Sequence, residues 1–283
     1  VPKTREAKLF IREAGNFEIG NNFKEGKGLD TKTRDNALFL SVVAQFNGQI
    51  SKTILKWFRN FNIISGFEEY GDITIKYMEK GESCSRRVSE FLAVADLGIL
   101  SANIAKAAAL PANISQSLRT EHMDIKTLHQ KYDENRKAIG FENFELEENE
   151  SKGTQKIFSL AGPILNALDR SEILLIDEMD AGLHPLIAKF IIQLFNSEDN
   201  PNNAQLILNT HNIYILNSKL FRSDQIWFAE KDRYGGTDLY SLFDYKVKND
   251  DSYGDDYILG RYGAIPCIDA DELRSSISSV EGG

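Results

Sequence analysis

Residues 173–176 form an unbroken apolar run that leads directly into two carboxylates, Asp177 and Glu178. Such a run is typical of a central strand in a parallel sheet, because helices cover both faces of that strand. Ligands of open α/β sheets bind at the carboxyl ends of the strands, where both carboxylates fall. The segment therefore predicts an α/β domain with a polar site at one edge of its sheet. The alternative is a strand that simply ends in a polar loop, a pattern that unrelated soluble proteins also carry.

The segments around this strand alternate between helical and strand-like periodicity. This alternation indicates a mostly parallel sheet with helices on both faces. Pro163 falls inside the first predicted helix and is expected to kink it. The predicted elements are a helix over 152–168, a strand over 172–177, a helix over 183–196, a strand over 205–209, a helix over 214–221 and strands over 225–229 and 238–243.

The first half of the chain divides into two predicted regions. Residues 1–31 form a β-meander that belongs to the same core, since strand-like segments there are separated by glycine and asparagine turns. Residues 32–124 are predicted to be a mainly helical insertion, and residues 125–283 complete the lobe. The predicted elements are helices over 37–46, 50–61, 86–97 and 99–110 and strands over 72–77 and 125–132.

Ser151 and Gly153 stand at the start of the predicted helix over 152–168. The first N–H groups of a helix have no acceptor within it and lie at the positive end of its dipole, so this end can bind an anion. The alternative is an N-cap serine with nothing to bind. We favour the anion site, because a strand that ends in Asp177 and Glu178 follows it at a matching distance.

His211 follows the predicted strand over 205–209. A histidine there can donate a hydrogen bond to a phosphate or to an attacking water, although a lone histidine after a strand is more often structural. Its place after the segments at 151–155 and 173–178, with Asn209 and Asn212 beside it, favours the functional interpretation. For His184 a functional role and a surface role at a helix start are equally supported. We interpret His122 and His129 as structural, because neither has a carboxylate or cysteine at metal-ligand spacing.

The composition limits the classes of partner. The formal charge of −9 disfavours a broad phosphate-binding surface, because nonspecific DNA affinity depends on Lys and Arg. The basic stretches at 52–59 and 85–87 are interpreted as solvated helix faces. No apolar run is long enough for a membrane span, so no membrane association is expected. Cys84 and Cys267 form no C-x-x-C pair, which favours the reducing cytoplasm.

These segments resemble those of the ABC-related AAA ATPases of bacterial defence operons, namely the OLD-like and abortive-infection ATP-binding proteins. The resemblance implies an ABC/RecA-like ATPase lobe and a head-to-head dimer that holds two ATP·Mg²⁺ at its interface. The residues that carry the resemblance are 150–156, 177–185 with its Gly-Leu-His-Pro, 210–211, the helix over 36–47 and the turn over 260–266.

Carried over by position, the resemblance implies a role for each predicted site residue. The signature segment (residues 151–155) would contact the γ-phosphate bound by the opposite subunit. One carboxylate would hold Mg²⁺, the next would be the general base, and a switch histidine would sense the γ-phosphate. The residues are Ser151, Gly153, Thr154 and Gln155 for nucleotide binding, Asp177 for the metal, and Glu178 and His211 for catalysis.

One part of the family pattern is missing from these residues, since no Gly-Lys-Ser or Gly-Lys-Thr occurs in them. We expect the family's phosphate loop to precede Val1. No toprim-type nuclease segment is recognised after Phe243, which favours the shorter relatives that act with a separate effector such as a nuclease, with DNA as a further candidate partner. The main alternative is a scaffold or regulatory interaction module that does not hydrolyse ATP. A nuclease that uses Asp269 and Asp271 is the least supported hypothesis.

Overall fold

The computed structural model describes residues 7–13, 15–95, 98–105, 124–217, 219–247 and 253–265. The chain folds into two compact units. Unit one comprises Val1–Asp177 and Asn200–Leu208, and unit two comprises Glu178–Asp199 and Asn209–Gly283. The division of the chain at residues 31 and 124 stays a prediction.

Unit one holds most of the regular structure. Its elements are β1 (Phe10–Glu13), β2 (Asn16–Ile19), α1 (Phe39–Gln45), α2 (Gln49–Phe58), β3 (Phe61–Ser65), α3 (Gly71–Met78), α4 (Glu82–Ala95), β4 (Ile99–Ala105), β5 (Asp124–Tyr132), β6 (Ala138–Glu145), α5 (Leu146–Asn149), α6 (Lys152–Arg170), β7 (Ile173–Asp177) and, after α7, β8 (Gln205–Leu208). The elements of unit two are α7 (Pro185–Phe195), β9 (Trp227–Lys231), β10 (Thr237–Ser241) and α8 (Tyr253–Ile258). None of the described helices is long and apolar enough to cross a membrane.

A parallel sheet forms the centre of unit one, with β7 between β3 and β8. Leu174 and Ile176 are fully buried on one face of β7, whereas Ile173 and Leu175 on the other face are partly buried. This arrangement confirms the predicted α/β class and its parallel sheet. The strands of the other described sheets, β1–β2, β4–β5–β6 and β9–β10, pair antiparallel.

Helix α6 packs against α3 through a close contact between their backbones. The N–H of Gly162 donates a 2.9 Å hydrogen bond to Thr74 Oγ1, and the same hydroxyl donates to the Phe158 carbonyl at 2.8 Å. Pro163 cannot donate to the carbonyl of Ser159 four residues earlier. The helix α6 nevertheless continues through Pro163, and the Thr74 hydroxyl, which donates to the Phe158 carbonyl, also lies 3.3 Å from the Ser159 carbonyl.

Three predicted elements are wrong. The strand predicted over 72–77 is α3, because Thr74, Tyr77 and Met78 are buried at helical spacing. The helix predicted over 99–110 begins instead as β4, whose pairing with β5 outweighs the helix propensity of its alanines; residues 106–110 lie outside the described ranges. The helix predicted over 214–221 is only a short 3₁₀ turn, Ile213–Ile215.

The region predicted as a mainly helical insertion also contributes to the central sheet. It contains α1 to α4 and β4, and in addition β3, which pairs in parallel with β7. Residues 59–61 were predicted as the end of a helix, but α2 ends at Phe58 and β3 begins at Phe61. The strand β6 has no counterpart among the elements predicted from the sequence.

An aromatic core in unit two explains the turn over 260–266, as far as Ile265 is described. Gly260 and Gly263 have φ values of +74° and +69°, which glycine adopts at no steric cost. Three tyrosine hydroxyls, from residues 240, 245 and 257, donate hydrogen bonds to carbonyls of the turn at 2.7–3.0 Å. Tyr262 is buried and stacks on Phe228. The turn is therefore fixed from within unit two.

Candidate active site

The signature segment lies at the amino terminus of α6. Ser151 is the N-cap, and its Oγ accepts a 3.1 Å hydrogen bond from the Thr154 N–H. The hydroxyls of Ser151 and Thr154 are also 2.8 Å apart. Ser151 is exposed, whereas Thr154 is buried. The sequence-predicted helix start is therefore correct, and it presents the serine to solvent.

Gly153, in the first turn of α6, has open space beside its Cα in the part of the chain that the structure describes. Among the described residues, a Cβ added there would come within 4 Å only of Ser151 Oγ, at 3.6 Å, which is ordinary van der Waals contact. Alanine would favour the helix by up to about 1 kcal/mol. A glycine without an internal steric constraint lets an outside group approach the backbone closely.

Gln155, in the first turns of α6, forms hydrogen bonds with the backbone of α5. Its Nε2 donates to the carbonyls of Leu146, Glu147 and Glu150 at 3.0–3.1 Å, and its Oε1 accepts from Lys152 Nζ at 2.9 Å. Both ends of the amide thus have partners within the chain. The predicted contact of Gln155 with nucleotide stays a prediction.

Asp177 is the last residue of β7 and is exposed at the carboxyl end of the central strand. Its backbone pairs with Ser65, and its carbonyl accepts a hydrogen bond from the Gly66 N–H. Mg²⁺ prefers oxygen ligands and is commonly bound by one or two carboxylates together with phosphates and waters. A single exposed carboxylate fits that requirement. In the described part of the chain, no group of three or more His, Cys, Asp or Glu side chains could hold a metal.

Glu178 and His211 lie together in unit two. His211 Nε2 is 3.9 Å from Glu178 Oε1, and the histidine side chain is 88% exposed. Glu178 has a left-handed backbone with φ +51°, an uncommon conformation for a residue with a side chain. A carboxylate and an imidazole at this distance can both contact one small ligand, such as a water molecule.

Asn209 holds the backbone of Glu178, a contact that sequence reasoning missed. Its Oδ1 accepts a hydrogen bond from the Glu178 N–H. Asn212 has a different task, since its Oδ1 accepts from the Tyr214 N–H at 3.0 Å and caps the 3₁₀ turn. The sequence does place the amide side chain of Asn209 directly after a predicted strand. That this amide contacts Glu178 could not be predicted, because the contact depends on the pairing of β8 with β7.

Comparison with known proteins places these segments in a family. Residues 3–217 match the model of the family described as "AAA domain, putative AbiEii toxin, Type IV TA system", which is more than half of the chain. The chain belongs to this AAA-domain family. The matched range contains every predicted site residue of this AAA domain, from Ser151 to His211.

Solved structures give more distant similarities to this AAA domain. One, from "Structural biochemistry of ATP-driven dimerization and DNA stimulated activation of SMC ATPases", has 19% sequence identity and a TM-score of 0.39 and covers 62% of this chain and 98% of that chain. Another is the Smc head domain with an extended coiled coil bound to the C-terminal domain of ScpA, derived from Pyrococcus furiosus. It has 19% identity and a TM-score of 0.38 and covers 72% of this chain and 44% of that chain. No curated protein matches the chain.

The remaining candidates of this AAA domain separate into two groups. His184 caps α7, since its Nδ1 accepts a 3.2 Å hydrogen bond from the Leu186 N–H, and its side chain is exposed. This is the surface role at a helix start. The other candidates, His122, Asp269 and Asp271, lie outside the described residues, as does Cys267.

Proposed function

We propose that this AAA domain hydrolyses ATP at the interface between two copies of itself, as a subunit of a prokaryotic antiphage defence or DNA-linked complex. The observation that carries the proposal is the pair formed by Glu178 and His211, whose side chains are 3.9 Å apart. Glu178 comes directly after β7, and His211 comes shortly after β8, the strand that pairs with β7. A scaffold would have no need of a base beside an exposed imidazole at this point. The family match supports the ATPase class.

The chain's own residues supply the proton transfer. Glu178 orients the attacking water and takes its proton as the water oxygen bonds to the γ-phosphorus and the bond to the ADP oxygen breaks. His211 donates a hydrogen bond to the γ-phosphate. Asp177 would hold Mg²⁺, which when bound neutralises phosphate charge. The lysine and hydroxyl of a phosphate loop are not assigned to residues of this chain, because it contains no Gly-Lys-Ser or Gly-Lys-Thr.

The signature segment acts in trans under this proposal. Ser151 and Gly153 contact the γ-phosphate of ATP held by the second copy, and the buried Thr154 holds the Ser151 hydroxyl in place. Gly153 permits this approach because, among the described residues, only Ser151 Oγ lies within 4 Å of the position that a Cβ would take. Gln155 supports the segment through the three carbonyls that its amide contacts. The proposed setting is the cytoplasm, in an OLD-like or abortive-infection system with a separate effector protein such as a nuclease and with DNA as a further partner.

The test is ATP turnover by the full-length protein, measured together with its mass by sedimentation. We expect phosphate release that requires Mg²⁺, and a doubling of mass with ATP but not with ADP. A protein that binds an effector yet releases no phosphate and does not change mass would instead support the scaffold alternative.

Asn209→Ala is expected to lower kcat roughly 10-fold or more with little change in KM, because a small displacement of the base slows chemistry more than binding. The substitution removes the acceptor for the Glu178 N–H, whose left-handed backbone then loses its support. Asn212→Ala is the matched control, since that side chain accepts a hydrogen bond from the Tyr214 N–H and caps a turn. Steady-state kinetics of both variants check the prediction, and equal kcat values would contradict it.

A further inference from the structure

Thr127, His129 and Glu150 form a buried polar cluster in unit one. Glu150 Oε1 accepts a hydrogen bond from Thr127 Oγ1 and lies 2.6 Å from His129 Nε2. The side chains of His129 and Glu150 are 18% and 7% exposed, and Thr127 is fully buried. A buried carboxylate costs several kcal/mol unless it is paired and hydrogen-bonded. Both partners come from β5, so this strand determines where the Glu150 side chain can lie.

The same glutamate leads directly into the signature segment. Ser151, the N-cap of α6, is the next residue, and the Glu150 carbonyl accepts a 3.0 Å hydrogen bond from Gln155 Nε2. Residue 150 is therefore held by its side chain to β5 and by its backbone to the first turn of α6. The imidazole of His129 packs against the ring of Phe144 on β6, which restricts it further. The buried contacts of Glu150 with Thr127 and His129 therefore help to fix the position of the exposed Ser151.

We propose that His129 and Glu150 are positioning residues for the signature segment. The pair anchors the turn to the β4–β5–β6 sheet and so places Ser151 and Gly153 against the γ-phosphate bound by the second copy. The inference rests on the proposed function and deepens it. It has a specific consequence, because the signature segment acts on the other copy's nucleotide. A defect in the anchor leaves the variant's own ATP binding intact and impairs its partner's turnover.

His129→Phe is the first variant, since it keeps an aromatic ring beside Phe144 and removes the His129 partner of Glu150 while Thr127 remains. We expect ATP turnover and ATP-dependent dimerisation to fall roughly 10-fold or more, because a displacement near 1 Å can cost that much. His129→Gln keeps a donor for Glu150 and is expected to retain most activity. Lys131→Gln is the control on the same strand, where an exposed salt bridge with Glu142 contributes little.

Mixing experiments separate positioning from general damage. The full-length His129→Phe protein is mixed with the full-length Glu178→Gln protein, each of low activity alone. In a mixed dimer, one nucleotide has an intact Glu178 and faces an intact signature segment, so turnover should rise well above the sum of the two separate proteins. Binding of fluorescent ATP to the isolated His129→Phe protein should match the wild type.

Several results would overturn the inference. These are wild-type turnover by His129→Phe, an equal loss in His129→Gln, the absence of a gain on mixing, or weakened ATP binding by the isolated variant. If thermal unfolding shows that His129→Phe and His129→Gln both fail to fold, the cluster is purely structural and the inference is wrong. Failure of the proposed function looks different, because the wild type itself would then neither turn over ATP nor dimerise.

Discussion

Replacing Glu178 with glutamine is expected to lower ATP turnover by about 10²- to 10⁴-fold, the usual contribution of a general base. Glutamine has nearly the same shape as glutamate but cannot accept the proton of the attacking water. The hydrogen bond from the backbone N–H of residue 178 to Asn209 Oδ1 does not involve the side chain of residue 178, so it should persist in the variant. ATP binding is therefore expected to remain, and the ATP-bound dimer should accumulate because it no longer decays by hydrolysis.

Single-turnover phosphate release and sedimentation with ATP measure the two effects of Glu178→Gln. Glu172→Gln is a matched control just before the opposite end of β7. Glu172 Oε2 accepts a 2.7 Å hydrogen bond from Asn62, away from the carboxyl end of the sheet. The control should turn over ATP at close to the wild-type rate. Turnover retained by Glu178→Gln would remove this residue from the role of base.

The elements that the sequence predicted well are those whose local pattern agrees with their tertiary environment. In β7 the apolar run coincides with the central position in the sheet, and in α6 the N-cap serine coincides with the start of a buried apolar face. In α3, by contrast, the alternation of Ile73 and Ile75 with polar residues suggested a strand. The segment is a helix, and Thr74 and Tyr77 lie on the side that packs against α6. Periodicity fails where a short element owes its conformation to its neighbours.

The candidate site shows the same limit. The order of Ser151, Asp177, Glu178 and His211 could be seen in the chain, because each residue stands at the end of a predictable element. The contacts that Asn209 and His129 make could not be predicted from the sequence. Asn209 contacts a backbone 31 residues away, and His129 contacts a carboxylate 21 residues away. Such pairs form only after strand pairing and helix docking bring distant segments together.

Gly153→Ala is expected to abolish most ATP-dependent dimerisation and turnover without weakening the fold. Its Cβ meets only Ser151 Oγ at 3.6 Å among the described residues, so unit one can accommodate the methyl group. Helix propensity should raise the free energy of unfolding by up to about 1 kcal/mol. The methyl group would, however, occupy the space in which the partner's γ-phosphate is proposed to approach, and turnover should fall roughly 10-fold or more.

Gly162→Ala in the same helix provides the opposite control. A Cβ there would lie 2.4 Å from Thr74 Cα and 2.6 Å from its backbone nitrogen, so α3 and α6 would have to separate. Overpacking of this kind costs about 1–3 kcal/mol, and the Tm should fall. Thermal unfolding and ATP turnover of both variants separate packing from ligand contact. A Gly153→Ala protein that is folded and fully active would show that no ligand approaches this turn. A stable, inactive one would assign the glycine to the nucleotide, because no contact within the described part of the chain requires a glycine there.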